Sequence, residues 1–381
     1  MAETVRADRP HILHVHGSFS LGGKEARTVR LMNMWGDRVR HSIMSADPQA
    51  MGARDAIDPG VAADFPDGPS FAGKPGLRRY REIRAFLKSF DLVLTYNWGA
   101  MDAVMAHRLA GRSAGMPPLI HHEDGFNADE ADRLKTKRNL FRRLALQSAH
   151  GLVVPSVRLE QIARGIWKQP GERLHLIRNG IDIARYMQPP APGAIPGLVR
   201  SPGKRLVGTL AGLRAVKNIP RLVRAVAAHR DRLQLVVVGE GPERDAILAE
   251  AAAQGVDDMH MAGFMDRPWR FVGLFDIFAL SSDSEQFPIS LVEAMAAGVP
   301  VASMDVGDVA NMVAPENRAF VVCDEAALAG ALGNLAQDAD LRARLGAANR
   351  ARAARDFTES AMVDAYASLY GEALASPLIL R

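Results

Sequence analysis

One cysteine, Cys323, stands in 381 residues, so no internal disulfide can form and no cysteine-based metal site can be assembled. A reducing compartment follows as the expectation, with the cytosol as default. Aromatic residues are 6% of the chain, leaving few rings on which bases could stack, and 47 Lys and Arg against 43 Asp and Glu give a formal net charge of only +4. Nucleic acid is therefore not implied as a partner. No stretch approaches the roughly 18 uninterrupted apolar residues of a membrane span, and the first ten residues carry charges where a signal peptide needs an apolar core. The expectation is a soluble protein, attached at most to a surface. What is present in quantity is hydrophobic residue, 48% of the chain, which excludes a disordered or fibrous protein. At roughly 100 to 200 residues per domain, the length predicts two domains.

Apolar runs rich in Val, Ile and Leu alternate with longer segments of helical period, the pattern of parallel sheets covered by helices. The runs are 11–16, 91–96, 118–122 and 150–155 in the first half, and 205–210, 234–239, 276–281 and 299–304 in the second. Between the halves, 188–203 contains Pro189, Pro190, Ala191, Pro192 and Gly193 and reads as a linker. An Ala- and Arg-rich tail from Glu325 places Leu328, Leu332, Leu335, Leu341 and Leu345 at helical spacing. The predicted fold class is α/β, two Rossmann-like doubly wound domains facing one another across a cleft. In such sheets ligands bind outside the carboxyl ends of the strands, so chemistry is expected there.

The most specific segment is Ser282-Asp-Ser-Glu-Gln-Phe-Pro-Ile-Ser-Leu-Val-Glu-Ala-Met-Ala-Ala-Gly-Val-Pro300. Pro288 suits a first helical position and Gly298 a C-terminal stop, which predicts a short helix over 288–297. Free N–H groups on Ile289, Ser290 and Leu291 at its positive end favour phosphate. Glu285 precedes the helix and Glu293 lies about 7.5 Å along it, so the two carboxylates can flank a bound diphosphate, one near a sugar and the other near a ribose. Arg214 and Lys217 follow the run 205–210 three residues apart, so a turn would let guanidinium and ammonium converge on one anion. Gly22 and Gly23 follow the first run, where a missing side chain lets backbone approach a phosphate or sugar, although an ordinary tight turn uses the same residues.

His121-His-Glu-Asp-Gly-Phe126 ends another run, which places His122, Glu123 and Asp124 on the ligand side. Adjacent strand residues point to opposite faces, so these side chains cannot all converge on a metal, and no metal site is expected. Arg133, Lys135, Lys137, Arg138, Arg142 and Arg143 interleave with Leu134, Leu140, Phe141 and Leu144. A basic helix with an apolar stripe can lie on an anionic leaflet, at about 1 kcal/mol per cation, or can pack its stripe on its own sheet.

Glu285 and Glu293 resemble the E-x7-E pair of retaining glycosyltransferases of the GT-B fold, glycosyltransferase family 4. Gly17-Ser-Phe-Ser-Leu-Gly-Gly-Lys-Glu25 is similar to the family's N-terminal glycine loop, and Asn179-Gly-Ile-Asp182 to its interdomain turn. Gly212-Leu-Arg-Ala-Val-Lys-Asn218 resembles its R-x-x-K-N element, Val236-Val-Val-Gly-Glu-Gly-Pro242 its next strand end, and 357–370 its terminal helix. The resemblance covers nearly the whole chain. It implies an acceptor-side domain over 1–195, a nucleotide-sugar domain over 196–358 and a terminal helix, 359–381, returning to the first domain. The implied activity is transfer of a sugar from a nucleoside diphosphate sugar to an acceptor hydroxyl, without metal or cofactor, by front-face displacement in which the leaving phosphate helps deprotonate the acceptor.

The resemblance assigns catalysis to Glu285, Arg214, Lys217 and Asp124. Donor contacts are expected from Gly23, Gly263, Phe264, Phe287, Ile289, Ser290, Leu291 and Glu293, with Phe264 itself buried and the base contact made by backbone. Acceptor contacts are expected from Gly22, His122 and Glu123. Asp124 stands where relatives carry a histidine near the reacting sugar, and a shift of two residues would align His122 instead. The glycine loop and 121–126 look most like bacterial enzymes of exopolysaccharide or surface-glycan synthesis, which implies a saccharide or lipid-linked acceptor and a cytoplasmic location, peripheral on the inner membrane face. A nucleotide-sugar epimerase and a catalytically silent nucleotide-sugar sensor are the other readings; a glycogen-type phosphorylase is disfavoured by length and by the lack of a pyridoxal lysine motif.

Overall fold

The computed structural model describes residues 9–70, 76–111, 115–126, 130, 134–377 and 379–380. The chain forms two compact units, Met1–Arg178 with Met362–Arg381, and Asn179–Ala361. The first holds strands β1 (His11–His16), β2 (Arg40–Ser45), β3 (Ala62–Asp64), β4 (Leu92–Tyr96), β5 (Leu119–His122), β6 (Gly151–Val154) and β7 (Leu174–Leu176). They form one sheet in the order β3-β2-β1-β4-β5-β6-β7. The second holds β8 (Arg205–Leu210), β9 (Leu233–Val238), β10 (His260–Gly263), β11 (Ile277–Leu280), β12 (Val301–Met304) and β13 (Val321–Val322), ordered β10-β9-β8-β11-β12-β13. Every pairing is parallel. The α/β class is therefore as expected, because strands such as Leu233-Gln-Leu-Val-Val-Val238, buried at every position, can exist only under helices on both faces.

Strands β2, β3, β7, β10 and β13 carry no long apolar run and were not expected from sequence. Arg40-His-Ser-Ile-Met-Ser45 is polar at four of its six positions, and β3 and β10 lie at sheet edges. Edge strands are selected by pairing with a neighbour, not by their own hydrophobicity.

The proline-rich stretch 188–203 does not separate the units. Its Ile195 is 3% exposed in the second unit's core, with Tyr186, Phe271 and Phe275 among its neighbours there. The chain crosses instead at Arg178 to Asn179 and again at Ala361 to Met362. Near both crossings, within the second unit, Ile181 N–H donates to Phe357 O at 3.0 Å and Glu359 N–H to Ile181 O at 2.9 Å. A Cβ at Gly180 would collide with the Thr358 carbonyl. Backbone meets backbone there and no flexible side chain can yield, so Gly180→Ala is expected to cost about 1–3 kcal/mol, read as a lower Tm. An unchanged Tm would mean that the two crossings are not held together in solution.

The terminal helix Glu359–Ala373 buries Met362, Tyr366 and Tyr370 among Ile12, Trp35, Leu94 and Val153 of the first unit. Tyr370 Oη lies 2.6 Å from His122 Nε2.

Candidate functional site

The second sheet reverses its winding between β8 and β11, so the ligand crevice of such a sheet lies outside the carboxyl ends of these two strands. Both loops there carry charged residues singled out from the sequence, Arg214 and Lys217 on one and Glu285 on the other. After β8 the chain enters a 3₁₀ turn, Ala215–Lys217, with Arg214 at its start and Lys217 N–H bonded to Arg214 O at 2.8 Å. After β11 it runs to the helix Ile289–Ala296, entered through Pro288. Proline stands at the cap, one position earlier than expected.

The two loops are tied together. Ser281 Oγ donates to Lys217 O at 3.0 Å, and Asp283 N–H to Val216 O at 2.9 Å. Lys217 Nζ donates to Glu285 Oε1 at 2.5 Å, and Ser282 Oγ to the same oxygen at 2.7 Å. Lys217 and Glu285 are therefore one ion pair with most of its surface out of solvent. Gly307, at φ +58° just past β12, keeps a Cβ away from the Glu285 carbonyl, which it would strike. Arg214 is exposed, and its side chain makes no hydrogen bond or ion pair with a described residue.

The N–H groups of Ile289 and Ser290 have no partner among the described residues. Leu291 differs from expectation: its N–H already bonds Pro288 O at 3.2 Å, because the first turn is tight. Glu293 lies further along the helix and accepts from Tyr186 Oη at 2.8 Å. Burial pushes the Glu293 carboxyl up to about 7, and the Tyr186 bond partly offsets that shift. Phe287 faces the core, 8% exposed and edge-on to Phe357. Phe264 is 72% exposed and not buried as expected, because Gly263, at φ +72°, turns the chain out at the end of β10. Gly263 O is taken by Gly239 N–H at 2.8 Å.

The first sheet reverses between β1 and β4, and there Gly17 and Gly99 pack backbone against backbone; a Cβ on Gly99 would strike Gly17 Cα. Gly22 caps the helix Gly23–Trp35, and a Cβ built on Gly23 would meet nothing within 4 Å. On this helix Lys24 bonds Ser18 O at 3.2 Å and pairs with Glu25; burial pulls the ammonium down to about 8. Arg27 grips Asp124 with both arms, at 2.5 and 2.8 Å. Burial alone would raise the Asp124 carboxyl, but Arg27 outweighs it and holds Asp124 below the usual carboxylate value. Asn97 Oδ1 accepts from Asp124 N–H at 2.7 Å.

His122 and Glu123 are not on a ligand face. His122 stacks on Tyr96, with Nδ1 donating to Thr95 O at 3.2 Å and Nε2 accepting from Tyr370 Oη. With both nitrogens engaged and burial first among the causes, its pKa falls to about 3, so it stays neutral. Glu123 is fully buried and bonds Arg142 Nε at 2.9 Å. Arg142, itself 0% exposed, also reaches Glu130 at 3.3 Å and lies 5.0 to 5.3 Å over Trp98, Phe126 and Trp167. Arg138 pairs with Glu130 at 3.0 Å. The helix Thr136–Ala145 thus turns Arg142 into the protein, contrary to a uniformly solvated basic face. Arg133 lies outside the described residues. Among the described residues no group of three or more His, Cys, Asp and Glu side chains is placed to hold a metal ion.

Sequence reasoning passed over Arg27, Tyr186 and Ser282. Arg27 lies two residues beyond the glycine loop and Tyr186 one helical turn beyond Asp182, so proximity to a motif was the available signal.

The fold is that of GT-B glycosyltransferases. Anabaena HepE in complex with UDP superimposes with a TM-score of 0.77 at 19% identity, covering 95% of this chain and 100% of that one. The same protein in complex with UDP-glucose gives 0.75 at 19% identity, over 96% and 100%. Residues 22–180 match the Glycosyl transferase 4-like domain and residues 196–352 match Glycosyl transferases group 1, and the chain belongs to this family. The putative glycosyltransferase EpsF of Bacillus subtilis (strain 168) is 32% identical over 53% of this chain and 57% of its own. The GDP-mannose-dependent alpha-mannosyltransferase of Mycolicibacterium smegmatis is 32% identical over 38% and 37%. The matches thus span about half or less of the length of these curated relatives.

Proposed function

We propose that the protein is a retaining glycosyltransferase of glycan synthesis that moves a sugar from a nucleoside diphosphate sugar to an acceptor hydroxyl. The observation that carries this reading is the Lys217–Glu285 pair, which joins the cationic turn after β8 to the helix entry after β11 at the switch point of the second sheet. As the anomeric bond breaks, negative charge grows on the departing diphosphate. Arg214, Lys217 and the N–H groups of Ile289 and Ser290 would stabilise it from fixed positions, so little reorganisation is needed during the reaction. Glu285 would orient the sugar and Glu293 would accept from the ribose. Arg27 holds Asp124 as a carboxylate, which suits it to position an acceptor hydroxyl. The chemistry needs no cofactor.

Thermal melting against a panel of sugar nucleotides tests the reading, since a donor at a hundred times its Kd adds about 2.7 kcal/mol to the folded state. Product NMR then reports the anomeric configuration. No shift with any donor, or an inverted product, defeats it. Glu293→Ala should weaken the donor by roughly 10- to 100-fold, the worth of a charge-assisted hydrogen bond of about 1.5–3 kcal/mol. Unchanged donor affinity would remove Glu293 from the site.

The acceptor we assign is a saccharide, free or lipid-linked, met at the inner face of the cytoplasmic membrane. On the helix Thr136–Ala145, Leu140 and Leu144 are 56% and 46% exposed beside the exposed Lys137 and Arg143. Apolar side chains among cations suit an anionic leaflet. Among the described residues no helix is long and apolar enough to cross a membrane. Lys137→Glu with Arg143→Glu should reduce sedimentation with anionic vesicles; undiminished sedimentation would move the contact elsewhere.

A further inference from the structure

Tyr186 closes the short helix Ile183–Tyr186 and spends its phenol proton on Glu293 Oε1 at 2.8 Å. The ring is fixed from behind: it stands edge-on to Trp269 with centroids 6.4 Å apart, and the Arg185 guanidinium lies 4.8 Å over Trp269. Tyr186 itself is 6% exposed. Glu293 Oε2 has no partner among the described residues. One oxygen of this carboxylate is therefore held and the other is open.

We propose that Tyr186 is a positioning residue that aims the Glu293 carboxylate at the ribose diol of the sugar nucleotide, and that donor affinity consequently falls as the pH drops below neutrality. The proposal rests on the donor-site reading given above. A diol donates two hydrogen bonds and a carboxylate accepts them, whereas a carboxylic acid carries a competing proton of its own. The carboxyl of Glu293 titrates near neutrality, at about 7, through burial, and the phenol lowers it by favouring the charged form.

No charged neighbour adds to that shift. Strands β11 and β12 and the turn Val272–Leu274, all packed on this helix, contribute no titratable side chain. From the helix Ala339–Asp356, Arg350 reaches the opposite end, bonding Ala297 O at 2.7 Å. Arg185 is engaged by Asp182 at 2.8 Å. Loss of affinity with acid would thus be traceable to one carboxyl.

The test is calorimetric titration of the full chain with UDP-glucose and with GDP-mannose between pH 5.5 and 8.5. The doubly esterified pyrophosphate of these probes takes up no proton in that range. The binding probe should lose affinity below about pH 7, approaching tenfold per pH unit. Tyr186→Phe keeps the ring on Trp269 but removes the phenol. It should move the midpoint upward and weaken binding most at pH 7 and below, with a smaller loss at pH 8.5 where only the aim of the ionised carboxylate is lost, and with donor KM affected and kcat not. Glu293→Gln should abolish the acid limb. A Tyr186→Phe protein with the wild-type midpoint, or with equal loss at every pH, would reduce Tyr186 to packing. An acid limb that survives Glu293→Gln would overturn the proposal while leaving the donor site standing. If neither probe binds at any pH, the donor-site reading falls and takes the proposal with it.

Discussion

Lys217→Ala is expected to lower kcat by about 10²–10³-fold with a much smaller change in donor KM. This ammonium is firmly placed. Its side chain is anchored on Glu285, its carbonyl on Ser281 Oγ, and the residue before it on the Asp283 N–H. A charge fixed before reaction stabilises a developing diphosphate without reorganisation, and removal of one such donor costs about 2.7–4 kcal/mol of transition-state stabilisation. Only one N–H of the ammonium is committed to Glu285, which leaves others for phosphate oxygens. In the proposed donor site, ground-state binding would keep Arg214 and the N–H groups of Ile289 and Ser290, so KM should move less. Steady-state kinetics with a donor and acceptor found by the panel decide it. If kcat stays within threefold while KM rises, Lys217 contributes equally to ground and transition states and is not catalytic.

Arg142→Ala should produce the largest loss of stability, about 3–5 kcal/mol, because it strands Glu123 and part of Glu130 as buried carboxylates without their cation. For a unit of this size that is roughly 6–20 °C in the melting transition. Calorimetry should show the loss in the transition of the first unit, with the second unmoved if the two are separable. Lys137→Ala and Arg143→Ala, on the same helix but exposed, should each stay within about 0.5 kcal/mol. If Arg142→Ala melts with those two, the guanidinium is solvated and the ionic cluster does not form in solution. Three aromatic rings surround this guanidinium, so the variant also loses cation–π attraction and packing.

Arg142 marks where sequence reasoning stops. In sequence it is one cation among several on a basic helix, indistinguishable from Arg143 next to it. The structure buries the first and exposes the second, because successive helical residues lie about 100° apart and only one can face Glu123. His122 and Glu123 looked like acceptor contacts because they end a strand. They face inward because the terminal helix, 248 residues away, supplies Tyr370 to one and the helix Thr136–Ala145 supplies Arg142 to the other.

What the sequence determined alone was local: buried strands such as β1, β8 and β9, the helix after Pro288 with its stop at Gly298, the paired glutamates, and the turn that brings Lys217 back toward the strand end. These follow from hydrophobic period, proline and glycine geometry and short spacing, all properties of neighbouring residues. Tertiary structure decided the pairings. Arg27 meets Asp124 across 97 residues and Tyr186 meets Glu293 across 107. Strand order brings those partners together, and the low dielectric of burial then sets their charge: Asp124 is held ionised by a guanidinium, and Glu293 is poised near neutrality by a phenol and an apolar surround.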